Sequence, residues 1–225
     1  MDRKEIKGRA KAFAFSNKWN IWKPILVVAA IPFAVGIILG ILGFGPEYKE
    51  VEDVVFGGTT MQMVSNPVYD TVTSITAIAT IPLSFGLIYY IIHLIHGNKL
   101  EIKDLFSKYK FFIPLFLLIL AIAVFTFLWS LLLIIPGIIY AFKVAMAQYI
   151  AAEEVNENTK VMDVINKSKT MMDGHKWEYF VFNLSFIGWY LLCGITFGIA
   201  AIWVVPYVTT ANVMYYEKLK KLKNA

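Results

Sequence analysis

The chain has 225 residues, 58% of them hydrophobic and only 16% charged. Globular domains carry about 45–50% apolar and about 25% charged residues, so too few polar residues remain here to cover a large water-soluble core. The formal net charge of +5 does not point to nucleic acid, because the basic residues sit at the ends of long apolar runs.

Residues 2–19 are basic and mildly amphipathic. Asp2 and Glu5 have the spacing of a capping box, and Ile6, Ala10 and Phe13 fall on one helical face. The pattern predicts an interfacial helix with Trp19 and Trp22 at headgroup level. Residues 1–20 are therefore a cytoplasmic amphipathic arm, and 21–96 a first hairpin. Its first span, Ile21 to Phe44, is long enough to cross the hydrocarbon. It exceeds the about 7–15 residues of a signal-peptide core and is read as uncleaved. Gly36 and Gly40, four apart, permit close helix packing. Residues 45–66, with Glu47, Glu50, Glu52, Asp53 and Gly57-Gly58, are expected to be a solvated acidic outer loop. The second span lies within Pro67 to His96, kinked at Pro82 by the missing backbone donor. His93 and His96 share a helical side, but no further ligands accompany them, so they are read as interfacial histidines rather than metal ligands.

Residues 97–152 make a second hairpin. It opens with a short basic stretch, 97–110, in which Ile102, Leu105, Phe106 and Tyr109 recur at helical spacing. Phe111 to Ala152 then gives two crossings around a turn at Ile134-Ile135-Pro136-Gly137, with Pro136 suited to a first helical turn. Lys143 falls about 13 Å along the helix from Ala152, near the midplane of a slab about 30 Å thick. A charge there costs about 2.5–3.5 kcal/mol on the insertion scale. It either pairs with bundle or headgroup oxygens, or snorkels. Residues 153–225 hold a cytoplasmic helix, a third hairpin and a basic tail. Thr159 is a plausible N-cap. Val161, Ile165, Ser168 and Met172 make one face, and Gly174 a helix stop. The fifth and sixth spans are Trp177–Gly194 and Gly198–Tyr216. An amphipathic run thus precedes each hairpin.

Of the 21 lysines and arginines, all but Lys49 and Lys143 fall on one side of a six-span arrangement. Positive charge marks the cytoplasmic face, which places both termini in the cytoplasm. No phosphate loop, metal-ligand cluster or nucleophile elbow is present, so catalytic, cofactor and metal residues are expected to be none. The polar residues of the spans, Lys143, Asn183, Ser185, Thr209 and Asn212, are the candidate ligand site, because burying such groups is costly. Cys193, the one cysteine, lies in an apolar run and packs as a small hydrophobe.

The segment 168–216 carries a connected set of features. They are Ser168, then Met172-x-Gly174-x-Lys176-Trp177, then Leu184-Ser185-Phe186-Ile187-Gly188-Trp189, then Thr196-x-Gly198-Ile199 and Trp203-x-x-Pro206-Tyr207. With the Pro136-Gly137-Ile138-Ile139 turn, Tyr149-Ile150 and Asp104-Leu105-Phe106, this set resembles a family of bacterial integral membrane proteins catalogued as domain of unknown function 975. The resemblance implies a six-helix membrane protein of Gram-positive type, distantly akin to membrane domains beside some glycerophosphodiester phosphodiesterases. It implies no activity and no catalytic residues.

The expected fold is therefore all-α: a polytopic membrane protein with six transmembrane helices in three hairpins and short cytoplasmic amphipathic helices. The expected role is non-enzymatic, binding or moving a lipid or a membrane-active peptide in the cell membrane. The alternative is a scaffold or subunit of an envelope complex, with a role in peptide resistance. Expected partners are membrane lipids and a membrane protein or second copy, without nucleic acid.

Overall fold

The structure is a computed structural model that describes residues 3–53, 58–64 and 66–224. The Asp2 half of the expected capping box and Gly57 lie outside the described residues. The chain forms two compact units, Met1–Ile25 with Pro82–Ala225, and Leu26–Ile81.

Helices dominate: α1 (Arg3–Ser16), α2 (Lys18–Ile41), α3 (Pro67–Ala79), α4 (Ile81–Ile95), a 3-10 helix (Ile102–Phe111), α5 (Phe112–Leu132), α6 (Ile134–Lys143), α7 (Ala147–Glu154), α8 (Val161–Met171), α9 (Lys176–Leu184), α10 (Ile187–Ile195) and α11 (Ala201–Asn224). Among the described residues, 5 segments are long and apolar enough to cross a membrane: Lys18–Ile41, Pro67–Ile95, Ile102–Leu131, Ile135–Glu154 and Lys176–Ile195. The expected sixth span forms a helix, α11, but that helix runs on through Glu217, Lys218, Lys220, Lys221 and Lys223. Its continuous apolar part is correspondingly shorter.

The smaller unit corrects the reading of residues 45–66 as a solvated loop. Strands β1 (Glu47–Asp53) and β2 (Gly58–Val64) pair antiparallel, in a register from Glu47 opposite Val64 to Asp53 opposite Gly58. β-Branched Val51, Thr59, Thr60 and Val64 favour the pleated backbone. Asn66 closes the base of the hairpin: its Nδ2 donates to the Gly45 carbonyl at 3.3 Å, and its Oδ1 accepts from Val68 and Tyr69 amides at 3.1 and 3.4 Å. It is thus the N-cap of α3, with Pro67 in the first turn, where a missing donor is harmless.

The core of the larger unit is built on α11. Val204, Tyr207, Val208, Ala211, Tyr215 and Leu219 recur three and four apart and are buried, the spacing of one helical face. Thr210, Val213 and Tyr216 are also buried, so α11 is enclosed on two sides. Helix α1 packs along it through Ile6, Ala10 and Ala14, the face expected from sequence except that Ala14 replaces Phe13. Aromatic rings join α11 to α7 and α9. Tyr215 meets Tyr179 and Phe182 at centroid separations of 5.0 and 4.8 Å, and Tyr216 stacks on Tyr149 at 5.5 Å. Each such pair contributes about 0.5–1.5 kcal/mol beyond burial.

In the segment 102–111 the expected 3.6-residue face is replaced. A 3-10 helix repeats every three residues, so Leu105, Lys108 and Phe111 are the buried set, while Ile102, Phe106 and Tyr109 are exposed. The Lys108 ammonium lies 4.3 Å from the Tyr89 ring centre. The close approach of α4 to this helix requires Gly86, where a Cβ would strike the Leu105 carbonyl. By contrast, α5, α6 and α10 leave Phe127, Ile135, Ile187 and Leu191 largely exposed.

Candidate functional site

The site begins at a helix break. Residues 134–154 do not form one continuous helix: α6 ends at Lys143, and α7 starts at Ala147. Ala147 donates to the Val144 carbonyl at 3.0 Å instead of reaching back to Lys143. Helix α8 meets the orphaned groups. Ser168 Oγ donates to the Lys143 carbonyl at 3.0 Å and accepts from the Met146 amide at 3.2 Å. Ser168 is fully buried. One hydroxyl, both donor and acceptor, therefore closes the break and fixes α8 against it.

Lys143 lies near the middle of the apolar segment Ile135–Glu154, as expected, but at a break within it. It stands at the C-terminus of α6, where the helix dipole favours a cation. It opens on a pocket of about 410 Å³ lined by Lys143, Lys169, Thr170, Asp173, Lys176 and Lys223. Lysines from α6, α8, α9 and α11 thus line one pocket with a single aspartate among the described residues. Lys176 Nζ donates to Asp173 Oδ1 at 3.2 Å, and Lys223 Nζ donates to the Asp173 carbonyl at the same distance. The hydrogen bond from Lys176 holds the Asp173 carboxyl below the usual carboxylate range. Lys169 Nζ lies 5.5 Å from the Tyr140 ring centre. Gly174, at φ +82°, supplies the left-handed turn that brings α8 and α9 to the same pocket. The expected N-cap Thr159 is not used as one: Lys160 occupies the cap position, and Thr159 Oγ1 accepts from the Asn156 amide. The buried face of α8 is Val164, Ile165, Ser168 and Met171, with Val161 at its half-buried edge.

Lysine ammoniums are compact point charges suited to phosphate and other oxyanions. A second cavity, of about 640 Å³, borders the same helix break. Ile122, Ala123 and Phe127 of α5, Val144 and Ala145 of the break, and Tyr179 of α9 line it. It is apolar where the lysine pocket is charged.

All four lysines, Ser168 and Gly174 fall within one stretch of the chain. Residues 131–223 match the model of a family described as protein of unknown function (DUF975). The chain resembles that family. No curated protein and no solved structure matches it. The DUF975 segment contains Pro136-Gly137, Trp177, Gly188-Trp189, Gly198 and Pro206-Tyr207, whereas Asp104-Leu105-Phe106 precedes it. Gly137 packs on Ser130 so closely that a Cβ would overlap the hydroxyl. Gly198, at φ +89°, turns the chain from α10 into α11, with Phe197 beside it at φ +48°. Pro206 lies inside α11.

The structure does not gather the polar residues singled out in the spans. Asn212 Oδ1 accepts from the Tyr179 hydroxyl at 3.1 Å, and Asn183 Nδ2 donates to the Tyr179 carbonyl at 2.9 Å. These two share one residue and serve helix packing. Ser185 ends α9 and receives Lys7, whose Nζ donates to its carbonyl and hydroxyl at 3.2 and 3.1 Å. Burial lowers the Lys7 ammonium from its ordinary value. Thr209 is half-buried in α11. Lys143 is the one of the five in the lysine pocket. Its companions Lys169, Lys176 and Lys223 read as solvated flank charges in sequence, because nothing in the apolar run 138–152 announces the break that brings them together.

Proposed function

We propose that the protein is a non-enzymatic, multi-pass membrane protein that binds an anionic amphiphile through its lysine pocket. The observation that carries the reading is the convergence of Lys143, Lys169, Lys176 and Lys223 on one pocket with a single carboxylate among the described residues. An anionic headgroup is complementary to that charge, and the neighbouring apolar cavity suits an acyl chain. The exposed Phe, Ile and Leu of α5, α6 and α10 are far more than a water-soluble monomer leaves uncovered. They support residence in a bilayer. The topology we favour has six spans in three hairpins, the sixth being the apolar first part of α11. It keeps both basic termini on the cytoplasmic side, as the positive-inside rule requires.

The test is Lys143→Met, which keeps most of the stem and removes the charge. A lysine near an anionic lipid surface contributes about 1 kcal/mol, so phosphatidylglycerol retained through purification should fall about fivefold. Lys160→Met, an exposed lysine outside the pocket, should leave retention unchanged. Equal retention by the two variants would overturn the reading.

A further inference from the structure

A third pocket, of about 530 Å³, lies where α1, the end of α4 and the C-terminal half of α11 meet. Its chemistry differs from that of the lysine pocket. Glu217, on α11, lines it and is only 9% exposed. Glu217 Oε2 lies 3.1 Å from His96 Nε2. Glu217 Oε1 is buried and has no hydrogen-bond partner among the described residues. A carboxylate oxygen in that state is costly unless a donor reaches it. Arg9, Lys218 and Lys221 also line the pocket; Lys218 Nζ donates to Glu5 Oε2 at 2.6 Å, and Arg9 Nη1 lies 3.8 Å from Glu5 Oε1. Ile6, Ile95 and Leu222 supply apolar wall.

The pocket therefore offers one buried acceptor, a cationic rim and an apolar side. A simple anion would meet the Glu217 carboxylate unfavourably, and a simple cation would meet Arg9 and Lys221. A zwitterion satisfies both. We propose that this pocket binds a phospholipid whose headgroup carries a primary ammonium and a phosphate, with the Glu217 carboxylate turning to accept from the ammonium and the phosphate facing Arg9 and Lys221. A quaternary ammonium has no N–H to donate and leaves the carboxylate oxygen unpaired. The pocket thus discriminates phosphatidylethanolamine from phosphatidylcholine at the nitrogen. This inference is independent of the lysine pocket and shares with it only the supply of lipid from a bilayer.

The experiment is native mass spectrometry of the full-length protein in mixed micelles. The micelles hold equimolar phosphatidylethanolamine and phosphatidylcholine with identical acyl chains. A hydrogen bond to a charged group sets the expected preference at about tenfold for phosphatidylethanolamine. N-methyl and N,N-dimethyl headgroups, which keep an N–H, should fall between the two. Glu217→Gln should bring the preference to within about twofold. Lys221→Gln should weaken both lipids alike, since both carry the phosphate. Should Glu217→Gln fail to fold, the methylation series on the unaltered protein decides the matter. Equal retention of the two lipids by the unaltered protein, or an unchanged preference in a folded Glu217→Gln, would overturn the proposal. Free O-phosphoethanolamine should compete only weakly. Competition as strong as that of the lipid would overturn the assignment to a lipid and leave a soluble phosphoamine.

Discussion

Replacing Ser168 with alanine tests whether one hydroxyl holds the lysine pocket in place. The change removes both hydrogen bonds across the α6–α7 break, the 3.0 Å bond to the Lys143 carbonyl and the 3.2 Å bond from the Met146 amide. No helical partner takes over, because Ala147 already donates to Val144. Met146 and Ser168 are fully buried, so water does not replace the lost partner cheaply. An unsatisfied buried group costs about 1–3 kcal/mol, and two such groups with partial relaxation put the loss at about 2–4 kcal/mol. The assay is reversible unfolding by sodium dodecyl sulfate in mixed micelles. Thr170→Ala is the control: its hydroxyl bonds the Asn166 carbonyl at an exposed site, and such changes usually stay within about 0.5 kcal/mol. Ser168→Ala should also reduce retained phosphatidylglycerol, although every lysine remains. If Ser168→Ala and Thr170→Ala unfold at the same detergent fraction, the clamp is not what closes the break.

Two further outcomes follow from the geometry. Gly137→Ala should lose about 1–3 kcal/mol through overpacking, because the new Cβ lies 2.9 Å from Ser130 Cα as well as over its hydroxyl. Gly188→Ala has nothing within 4 Å and should be neutral or stabilising by up to about 1 kcal/mol. Equal melting temperatures for the two would contradict the packing of α5 on α6. In a Cys193→Ala background, Lys49→Cys should react with an impermeant maleimide in intact cells, while Ser107→Cys and Asn158→Cys should not. Labelling of Asn158→Cys from outside would sink the six-span topology.

Apolar runs and caps made much of the helical architecture legible. The helix stop at Gly174 and the Gly198 turn stand where glycine chemistry puts them, whereas the turn expected at 134–137 falls at Leu133 and leaves Pro136-Gly137 inside the first turn of α6. The hairpin in 47–64 was hidden behind its acids, although Gly57-Gly58 between β-branched residues is a turn signal. In 102–111 the apolar residues fit a period of 3.6 but the backbone takes a period of three, which exchanges Phe106 and Tyr109 for Lys108 and Phe111 in the buried set. The lysine pocket was only one-quarter legible. Lys143 stands out in an apolar run, but Lys169, Lys176 and Lys223 look like ordinary flank charges until the breaks in the chain are known.

Those breaks give the amphipathic segments a structural task. Irregular backbone inside an apolar bundle persists only where other groups satisfy it. The break after α6 is met by Ser168 from α8. The break after α9 is met by Lys7 from α1, at the carbonyl end of a helix where a cation is favoured. Each amphipathic segment also brings charge with it: α8 carries Lys169 to the lysine pocket, and α1 carries Arg9 to the Glu217 pocket. The hydrogen bonds that close the breaks and the charges that line the pockets therefore arrive on the same short helices. A substitution that loosens either helix should change stability and lipid retention together, whereas a substitution of a lining lysine alone should change only retention.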